Sequence, residues 1–597
     1  MGNRAAHGLV IDHGDGVREV GAGGKNPFGK EQRAALERAR ALSSEHHFFH
    51  WDLEFPEVFY DLQYARWKDD PGFDAVIGNP PYVRQEQVGA IKPYLAAEYA
   101  TVHDGAADLY VYFYQKGITL LRGGGRLSYI VTNKWLRAGY GEGLRGYASR
   151  AARVERIVDF GHAPVFPDAD VFPCIVLLRK RGEEEGDADS GPGALVCEVP
   201  REALGAAELG DHVRKHGYRV PDARFTSAPW SLEPPDVQRL MEKIRSAGAP
   251  LRQYTGAPPL YGIKTGFNEA FLIDGESRDR LVQQDPGSAE LLRPFLRGQD
   301  IERWSAVWAG LWMILLRSSE NHAWPWTGAP ERKAEQLFNR AYPALYEHLK
   351  PLETQLRKRS DQGQYWWELR SCAYYEAFEQ PKIMYQEIQF HSSYVLDYDG
   401  RFCNNKVFFL PTEDMYLLAV LNSPLMWWHN WRYLPHMKDE ALSPVAFRME
   451  DLPIATAPEA VRRRAADPVR RLTLLAKETR EAQQQLFAWL QTEFNVDTPG
   501  QKLEEFATLK LDDFITEVKR RRPRGAPGLT PDALGRLKEA YCERAPRIRE
   551  MTNEAGRLEE RLAAIVNDAY GLTEADVELM WRTAPPRMPV RAPASRP

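Results

Sequence analysis

The chain has 597 residues, too many for one hydrophobic core, and domains of ordinary size would divide it into about three or four. Hydrophobic content of 43% and charged content of 27% are typical of globular proteins and exclude a disordered chain. The net charge of −5 excludes a uniformly basic nucleic-acid-binding protein, although a basic cleft can still attract a polyanion locally.

Cysteine spacing and apolar patterning indicate the compartment. The 5 cysteines are scattered without the short paired spacing of a zinc site or a disulfide framework, so we expect reduced thiols and no metal site. The amino terminus has no apolar segment of signal-peptide length, and no apolar run reaches about 18 residues. These features predict a cytoplasmic protein.

The first third of the chain predicts an α/β domain. Residues 1–48 form a predicted linker or remnant, Gly-rich at first and then helical at "KEQRAALERARAL". Short β-rich segments then alternate with helical stretches such as Asp108 to Leu121, and this rhythm predicts a mostly parallel sheet covered on both faces. The β-rich segments are "FDAVIGN", "GGRLSYIVTN", "RVERIVDFG" and "FPCIVLLRK".

Three further regions follow in chain order. Residues 183–224 are predicted to be a connector, because Lys180 to Gly193 is charged and Gly-rich. Residues 225–456, dense in Trp, Tyr and Pro, predict a second domain of mixed α/β texture. Residues 457–582 carry apolar side chains at three and four spacing, which predicts a coiled-coil-like spacer of antiparallel helices paired around "KRRRPRGAPGLTPDAL". Residues 583–597 predict a disordered tail.

The segment "FDAVIGNPPYVRQ", residues 73–85, ends a predicted strand in a stiff turn. Two successive prolines keep the chain after Gly78 extended. The carbonyl of Pro80 then points in a fixed direction beside the Asn79 carboxamide, whose oxygen is a second acceptor. Two such acceptors suit an amino group that donates both of its N–H bonds, because these two hydrogen bonds turn the nitrogen lone pair toward an electrophile. Tyr82 offers a face for the ring that carries this amino group.

Asn-Pro-Pro-Tyr at a strand end resembles the catalytic motif of the DNA adenine-N6 methyltransferases. "FHWDLEFPEVF", residues 49–59, resembles the lead-in of large type IIG restriction-modification methylases, the TaqI-like and Eco57I-like family. Beyond the motif, "HDGAADLYVYFYQKGITLLRGGGRLSYIVTNKWLRAGYGEGLR" and "RVERIVDFGHAPVFPDADVFPCIVLLRK" resemble that family's following helix, strands and Gly-rich loop. The resemblance is continuous over residues 49–180. It implies that residues 49–182 are a partial Rossmann-like methyltransferase domain.

The resemblance also implies roles for individual residues. Asn79 and Pro80 would accept the amino hydrogens of a flipped adenine, and Tyr82 would stack on the base. Phe166 is our choice for a second stacking ring, with an ordinary core aromatic as the alternative and Phe172 as the competing ring. Asp108 would line the cofactor pocket, although an acidic residue there is equally a helix N-terminal charge.

One part of the family's pattern is not found in the sequence. The methyl donor, S-adenosylmethionine, is normally held by a Gly-rich turn after a strand upstream of the catalytic motif. "VREVGAGGKNPFGKE" has the glycines, but its strand would be too polar, and Glu31 stands where a phosphate-binding loop needs Ser or Thr. We therefore expect the carboxyl-terminal portion of a longer enzyme, or a split one, with an upstream polypeptide supplying the donor-binding and nuclease modules.

The second domain resembles the target-recognition domain of the same family, at "PLYGIKTGFNEAFLID" and "LLRPFLRGQDIERW". Such domains read base edges of double-stranded DNA in the major groove. Lys264, Arg297 and Arg303 are predicted contacts, with ordinary surface charge as the alternative. Trp427, Trp428 and His429 are predicted core. Arg520 to Arg522, with Arg524, would either grip phosphates or form a solvated loop between helices.

The sequence therefore predicts a partial Rossmann-like methyltransferase domain, an α/β target-recognition domain and a carboxyl-terminal α-helical region. The predicted activity is S-adenosylmethionine-dependent methylation of adenine N6 in a restriction-modification or related phage-defence system. The alternative is a catalytically silent DNA-specificity subunit. A protein glutamine methyltransferase shares the four-residue motif, but those small enzymes lack a large recognition region.

Overall fold

The computed structural model describes residues 30–46, 49–161, 163–166, 171–182, 191–204, 209–437 and 440–590. It has two compact units, one ending at Leu232 and one beginning at Glu233. The predicted linker over residues 1–29 lies outside the described residues. No helix in the described ranges combines the length and apolar character needed to cross a bilayer.

The amino-terminal unit is built on a 6-stranded sheet with helices around it. Its strands, in chain order, are β1 (Phe73–Gly78), β2 (Leu121–Thr132), β3 (Ala152–Asp159), β4 (Pro173–Lys180), β5 (Ala194–Glu198) and β6 (Tyr218–Val220). Its helices are Lys30–His46, Trp51–Glu54, Pro56–Phe59, Lys92–Glu98, Tyr110–Leu120, Glu142–Ala151 and Leu209–His216. A short antiparallel hairpin, Tyr60–Asp61 with Arg66–Trp67, precedes the sheet.

The direction of the strands differs from the predicted mostly parallel sheet. In the order β1-β2-β4-β3-β5-β6, only the pairs β1 with β2 and β3 with β5 are parallel. The chain passes from β3 to β4 without a crossover helix in the described residues, so β4 runs antiparallel to β2 and β3 on either side of it. The sheet is therefore mixed, and the α/β class is confirmed.

Close packing of the helix Tyr110–Leu120 on β2 depends on one glycine. A Cβ at Gly117 would lie 2.5 Å from the Leu127 side chain and 2.5 Å from the Tyr129 hydroxyl. Glycine within a helix costs about 1 kcal/mol relative to alanine, but here it lets the helix approach the sheet. Tyr129 lies on β2 directly across from Gly78, the last residue of β1, so this packing supports the strand end that carries the motif.

The predicted connector 183–224 contributes two strands to the amino-terminal sheet, which corrects that boundary. β5 pairs with β3 and β6 pairs with β5, and Ala194, Val196 and Val220 are buried in the core of this unit. Phe225 and Trp230, predicted to begin the second domain, lie in the same core. The described residues of the connector are therefore structural parts of the first unit.

The carboxyl-terminal unit contains three small sheets. One has the order Leu260–Tyr261, Val407–Leu410, Lys382–Gln386 and Tyr394–Asp397; the second has the order Leu272–Ile273, Trp312–Ile314, Leu292–Leu296 and Phe402–Cys403; the third pairs Gly248–Pro250 with Pro453–Ala455. The helices are Pro235–Ala247, Leu251–Thr255, Asn268–Phe271, Gly275–Gln284, Glu331–Ala341, Pro343–Leu349, Glu353–Leu356, Met415–Leu421, Pro424–Tyr433, Ala446–Met449, Glu459–Phe494, Gly500–Glu504, Leu511–Arg521, Pro531–Ala569 and Glu574–Arg582.

The two long helices Glu459–Phe494 and Pro531–Ala569 run antiparallel, as predicted. Arg471 pairs with Glu554 at one end, and Glu493 pairs with Arg536 at the other. Their connection is longer than expected, because two further helices, Gly500–Glu504 and Leu511–Arg521, lie within it.

The carboxyl-terminal residues 583–590 are packed, which corrects the predicted disordered tail over that part. Trp427 donates its indole N–H to the Pro586 carbonyl at 3.0 Å, and Trp428 donates to the Thr583 hydroxyl at 3.0 Å. Trp427, Trp428 and His429 are buried, which agrees with their predicted place in the core. Residues 591–597 lie outside the described part of the chain.

Candidate active site and recognition surface

Asn79, Pro80, Pro81 and Tyr82 leave the carboxyl end of β1 as irregular, non-helical backbone. Asn79 is exposed, whereas Pro80 is buried and Tyr82 is half-buried. No described group donates a hydrogen bond to the Asn79 carboxamide or to the Pro80 carbonyl. Both predicted acceptors therefore keep their capacity for an external amino group.

Tyr82 is fixed against the neighbouring strand. Its hydroxyl donates to the Ile130 carbonyl of β2 at 3.4 Å. Burial, with a smaller contribution from the Cys174 thiol, raises the pKa of Tyr82 to about 12. The phenol therefore stays neutral near neutral pH, and its ring offers an uncharged face to a ligand.

Phe166 lies beside Tyr82, and its predicted role as a second stacking ring stays a prediction. The two ring centroids are 6.4 Å apart and the rings are inclined by 67°. Because the rings are not parallel, only one of them can lie flat against a base in this arrangement. The competing ring, Phe172, lies 5.8 Å from the Lys134 ammonium, and its backbone carbonyl accepts from the Asn133 N–H at 2.7 Å.

Asp108 holds the loop that follows the motif. Its carboxylate accepts from the Gln85 backbone N–H at 3.2 Å, and next to it the Leu109 N–H donates to the Val83 carbonyl at 3.0 Å. These contacts tie the motif loop to the start of the helix Tyr110–Leu120. The contact that the structure gives Asp108 is thus with the protein's own backbone, and its predicted role in the cofactor pocket stays a prediction.

Two polar residues at the same sheet edge escaped the sequence analysis. Asn133 follows β2 and donates its amide N–H groups to both carboxylate oxygens of Asp159 at 2.9 and 3.1 Å. Asp159 ends β3 and also accepts from the Gly161 N–H at 2.9 Å. Because β1, β2 and β3 run in one direction, their carboxyl ends meet at this edge. The sequence did contain a signal for these two residues, because polar residues directly follow the apolar runs in "IVTN" and "IVD".

The described residues upstream of β1 do not fit a methyl-donor site by themselves. They form the helix Lys30–His46, two single helical turns and the hairpin of Tyr60–Asp61 with Arg66–Trp67. None of these described elements is a buried strand followed by a Gly-rich turn. β1 is the terminal strand of the sheet within the described residues, and its Ile77 side chain is 82% exposed.

Arg303 is engaged within the protein, which argues against its predicted contact with DNA. Its guanidinium Nε donates to the Glu559 carboxylate at 2.7 Å and lies over the Trp304 ring, with the side chain 16% exposed. Burial lowers the pKa of Arg303, while the Glu559 carboxylate opposes that shift. This pair joins the predicted recognition domain to the helix Pro531–Ala569, so its role is structural.

Arg297 and Lys264 differ in their freedom to bind. Arg297 donates from Nε and Nη2 to Asp300, at 2.8 Å for the shortest contact, and this carboxylate raises the pKa of Arg297. Lys264 is exposed and has no hydrogen bond or ion pair among the described residues. Of the predicted contacts, Lys264 therefore presents an uncompensated charge.

The basic run at the end of the helix Leu511–Arg521 is largely engaged within the protein. Arg520 and Arg521 both pair with Glu517, and Arg522 donates to the carbonyls of Phe494 and Pro527. Arg524 is exposed. These contacts argue against a phosphate-binding run, but Arg520 and Arg521 lie in the last turn of the helix and not in the predicted solvated loop.

Comparison with known families gives three matches along the chain. Residues 25–166 match the Eco57I restriction-modification methylase family, residues 293–454 match the TaqI-like C-terminal specificity domain, and residues 458–566 match a domain of unknown function. The first match contains the motif and Phe166, and the second contains much of the predicted recognition domain.

Curated relatives are type II methyltransferases. The chain is 30% identical over 249 residues to M.PaeR7I of Pseudomonas aeruginosa, a match that covers 40% of this chain and 41% of that protein. It is 24% identical to M.BstVI of Geobacillus stearothermophilus, over 63% of this chain and 67% of the relative. M.XhoI of Xanthomonas vasicola is also 24% identical, over 58% of this chain and 61% of the relative. The chain thus spans between about two fifths and two thirds of the length of these proteins.

Among solved structures, the type IIL restriction-modification enzyme MmeI in complex with DNA aligns with 85% of this chain and 56% of that chain. The identity is 12% and the TM-score is 0.45. The family matches carry more information than this weak likeness. They show that the chain has a methylase segment and a specificity segment related to the Eco57I and TaqI-like type II restriction-modification DNA methyltransferases.

Proposed function

We propose that this chain is the base-binding and target-recognition part of a site-specific DNA methyltransferase that modifies adenine N6 within a restriction-modification or related phage-defence system. The observation that carries the proposal is the pair of acceptors at the end of β1, the exposed Asn79 carboxamide and the Pro80 carbonyl, to which no donor among the described residues is bonded. The related methylase and specificity segments support it.

The proposed chemistry of these residues is positioning. The Asn79 carboxamide oxygen and the Pro80 carbonyl accept the two N–H bonds of the amino group, which directs the nitrogen lone pair away from the ring plane. The Tyr82 ring lies against the extruded base, with Phe166 closing its edge. The amino nitrogen attacks as a neutral nucleophile and loses its proton afterwards, so the site needs no base with a shifted pKa.

The proposed methyl donor is S-adenosylmethionine, as the family resemblance implies. Since the described residues do not fit a donor site, we place the donor on another polypeptide segment that adds strands beside β1. One edge of β1 has no neighbouring strand in the described part of the chain, and the Ile77 side chain is exposed. Both features support this placement, because such a strand edge readily accepts another strand. The proposed partners are therefore double-stranded DNA and a donor-binding polypeptide.

A test of the function compares Asn79→Ala with Gln87→Ala, an exposed amide on the same loop. Each variant is incubated with duplex DNA and labelled S-adenosylmethionine, with the proposed partner added if the chain alone is inactive. Nucleosides are then identified by mass spectrometry. We expect Asn79→Ala to lose N6-methyladenine by about 100-fold or more, since two hydrogen bonds to the reacting group are reduced to one, while duplex binding persists and Gln87→Ala stays active. Loss of duplex binding in Asn79→Ala would instead indicate a structural residue.

A catalytically silent DNA-specificity subunit is the second candidate, because the described residues upstream of β1 do not fit a methyl-donor site by themselves. Calorimetric titration of the chain with S-adenosylmethionine separates the two. Binding by the isolated chain supports the enzyme and contradicts the split donor site. No binding, with no methylation in the presence of the partner, supports the silent subunit.

A further inference from the structure

A concave site that includes Lys264 lies in the carboxyl-terminal unit. Two walls enclose a cavity of about 230 Å³, one formed by residues 261–264 and the other by residues 370–374. We call it the specificity pocket. Its lining brings together two cations, Lys264 and Arg370, and two aromatic rings, Tyr261 and Tyr374.

The charge of the specificity pocket is positive. Lys264 is exposed and has no partner among the described residues. The Arg370 side chain is 52% exposed, and its Nη1 lies 3.2 Å from the Asp361 carboxylate. This single contact leaves most of the guanidinium donors of Arg370 available while it restricts the direction in which they point.

The walls are held by a buried arginine. Arg359 donates to the Thr265 carbonyl at 2.7 Å beside the first wall. It also donates to the Trp366 and Glu368 carbonyls, at 2.7 and 2.9 Å, just before the second wall. Burial lowers the pKa of Arg359 to about 10, so the group stays protonated at neutral pH and keeps both walls in place.

Other contacts fix the floor and the rim of the pocket. The Gly262 N–H donates to the Val407 carbonyl at 2.9 Å, and a Cβ at Gly262 would lie 2.0 Å from the Asn404 carbonyl oxygen. Only glycine fits there. At the rim, the Tyr374 hydroxyl donates to the Tyr261 carbonyl at 3.1 Å, and the two rings meet edge to face. The pocket is therefore formed before any ligand arrives.

We propose that the specificity pocket reads a guanine edge in the major groove of the target duplex, with Arg370 and Lys264 as the donors. Guanine presents two adjacent acceptors, O6 and N7, and arginine or lysine is their commonest partner. A guanidinium oriented by Asp361 suits this geometry, whereas phosphate contacts need only mobile surface charge. Tyr261, 43% exposed at the rim, packs against the neighbouring sugar or base. This inference rests on the proposed recognition of DNA and specifies one nucleobase, guanine, that the protein recognises.

The test is a selection from a pool of randomised duplexes by the full chain, read by sequencing. Wild type is compared with Arg370→Met, Lys264→Met and Arg370→Lys, and with Arg340→Met, an exposed arginine on the helix Glu331–Ala341, as control. We expect wild type and the control to enrich one motif. Arg370→Met should lose the preference for guanine at one position, lower affinity for the wild-type motif by about 10- to 100-fold, and keep the other positions. The affinity and guanine preference of Arg370→Lys should lie between those of wild type and Arg370→Met. Lysine keeps the positive charge but lacks the paired donors of the guanidinium.

Three results would overturn the proposal in different ways. If both Arg370→Met and Lys264→Met bind all sequences more weakly by the same factor, with a shallower salt dependence, the pocket grips phosphate and reads no base. If wild type enriches no motif, the recognition function itself fails, and the pocket's reading role fails with it. A motif left unchanged in both variants, with unchanged affinity, excludes contact between the pocket and DNA.

Discussion

Lys382 and Asp397 form an ion pair whose side chains are both 0% exposed. The Lys382 ammonium donates to Asp397 at 2.7 Å and to the Phe378 carbonyl at 2.6 Å. Lys382→Met leaves the buried Asp397 carboxylate with Arg401, at 2.9 Å, as its remaining cation. The variant should therefore lower the free energy of unfolding by about 3 kcal/mol, the low end for a broken buried pair. Urea denaturation followed by circular dichroism measures this change.

Lys406→Met is the matched control for that experiment. Lys406 pairs with Glu387 at 2.7 Å, but its side chain is 60% exposed. Solvent screens such a pair, so the variant should lose less than about 1 kcal/mol. Equal losses in the two variants would mean that burial of the Lys382–Asp397 pair has no energetic consequence.

His429 should make the fold sensitive to acid. Burial lowers the pKa of His429 to about 4, with the nearby Arg245 and Arg432 acting in the same direction and Asn430 opposing it. An unfolded histidine titrates near pH 6.5, so below that value the unfolded chain binds a proton that the folded chain does not. Stability is therefore lost as the pH falls from about 6.5 toward 4, by about 2 kcal/mol at pH 5.

His429→Gln isolates this effect from that of other groups. The variant should show a smaller drop in Tm between about pH 7 and pH 5 than wild type, because the preferential protonation of the unfolded chain is reduced by one site. His216→Gln, at an exposed position, serves as the control. Parallel curves for wild type and His429→Gln would show that His429 is accessible to protons in the folded state.

How well single residues could be predicted depends on how far along the chain their partners lie. Tyr82 and its turn could be predicted because the strand, the prolines and the tyrosine ring are neighbours in the sequence. Arg303 was not, since its partner Glu559 is 256 residues away and a lone arginine gives no sign of an ion pair. Asn133 and Asp159 became visible as a pair only when the order of the strands was known.

At the scale of elements, the long helices Glu459–Phe494 and Pro531–Ala569 continue through interior prolines, Pro468 and Pro546. The apolar spacing over residues 457–582 predicted these helices without placing the two prolines inside them. A proline in a helix interior lacks the N–H and costs about 3 kcal/mol. The packed side chains on either side, such as Val469 and Ile548, outweigh this cost.

Replacing Pro546, which is exposed whereas Pro468 is buried, should therefore stabilise the protein. Pro546→Ala restores an N–H within the helix and is expected to raise the free energy of unfolding by about 1 to 3 kcal/mol, measured as an increase in Tm. Pro531→Ala is the control, because Pro531 occupies the first turn, where the N–H has no helical partner. A lower Tm for Pro546→Ala would show that the local bend at Pro546 is needed for packing.

The short strands β5 and β6 illustrate what element prediction misses. Their sequences, "ALVCE" and "YRV", are too short to stand out beside the charged, Gly-rich stretch that precedes them. β5 is buried by pairing with β3 and β6 by pairing with β5, which is a property of the sheet and not of the segment. Strand direction was similarly hidden, because it depends on how the chain returns between β3 and β4.

At the scale of the whole molecule, the predicted boundary between a recognition domain and a helical spacer at residue 456 does not separate two cores. Leu417, Trp428 and Ile454 share one buried cluster with side chains from the later helices. Those later side chains are Val469, Leu472, Leu562, Ile565 and Val566. Amino-acid composition and apolar spacing distinguished the two regions in the sequence, but only the fold shows that they stabilise each other.

This shared core predicts how the chain can be divided. A fragment of residues 233–590 should unfold in one cooperative transition, whereas residues 233–456 alone should lack one. Five buried aliphatic side chains from the later helices stabilise the cluster by about 8 to 15 kcal/mol, which is as large as the stability of a typical domain. Thermal unfolding followed by circular dichroism measures this dependence. In the longer fragment, Leu562→Ala should cause a smaller loss of stability, about 2 to 5 kcal/mol. A cooperative transition in residues 233–456, at the Tm of the longer fragment, would restore residue 456 as a true domain boundary.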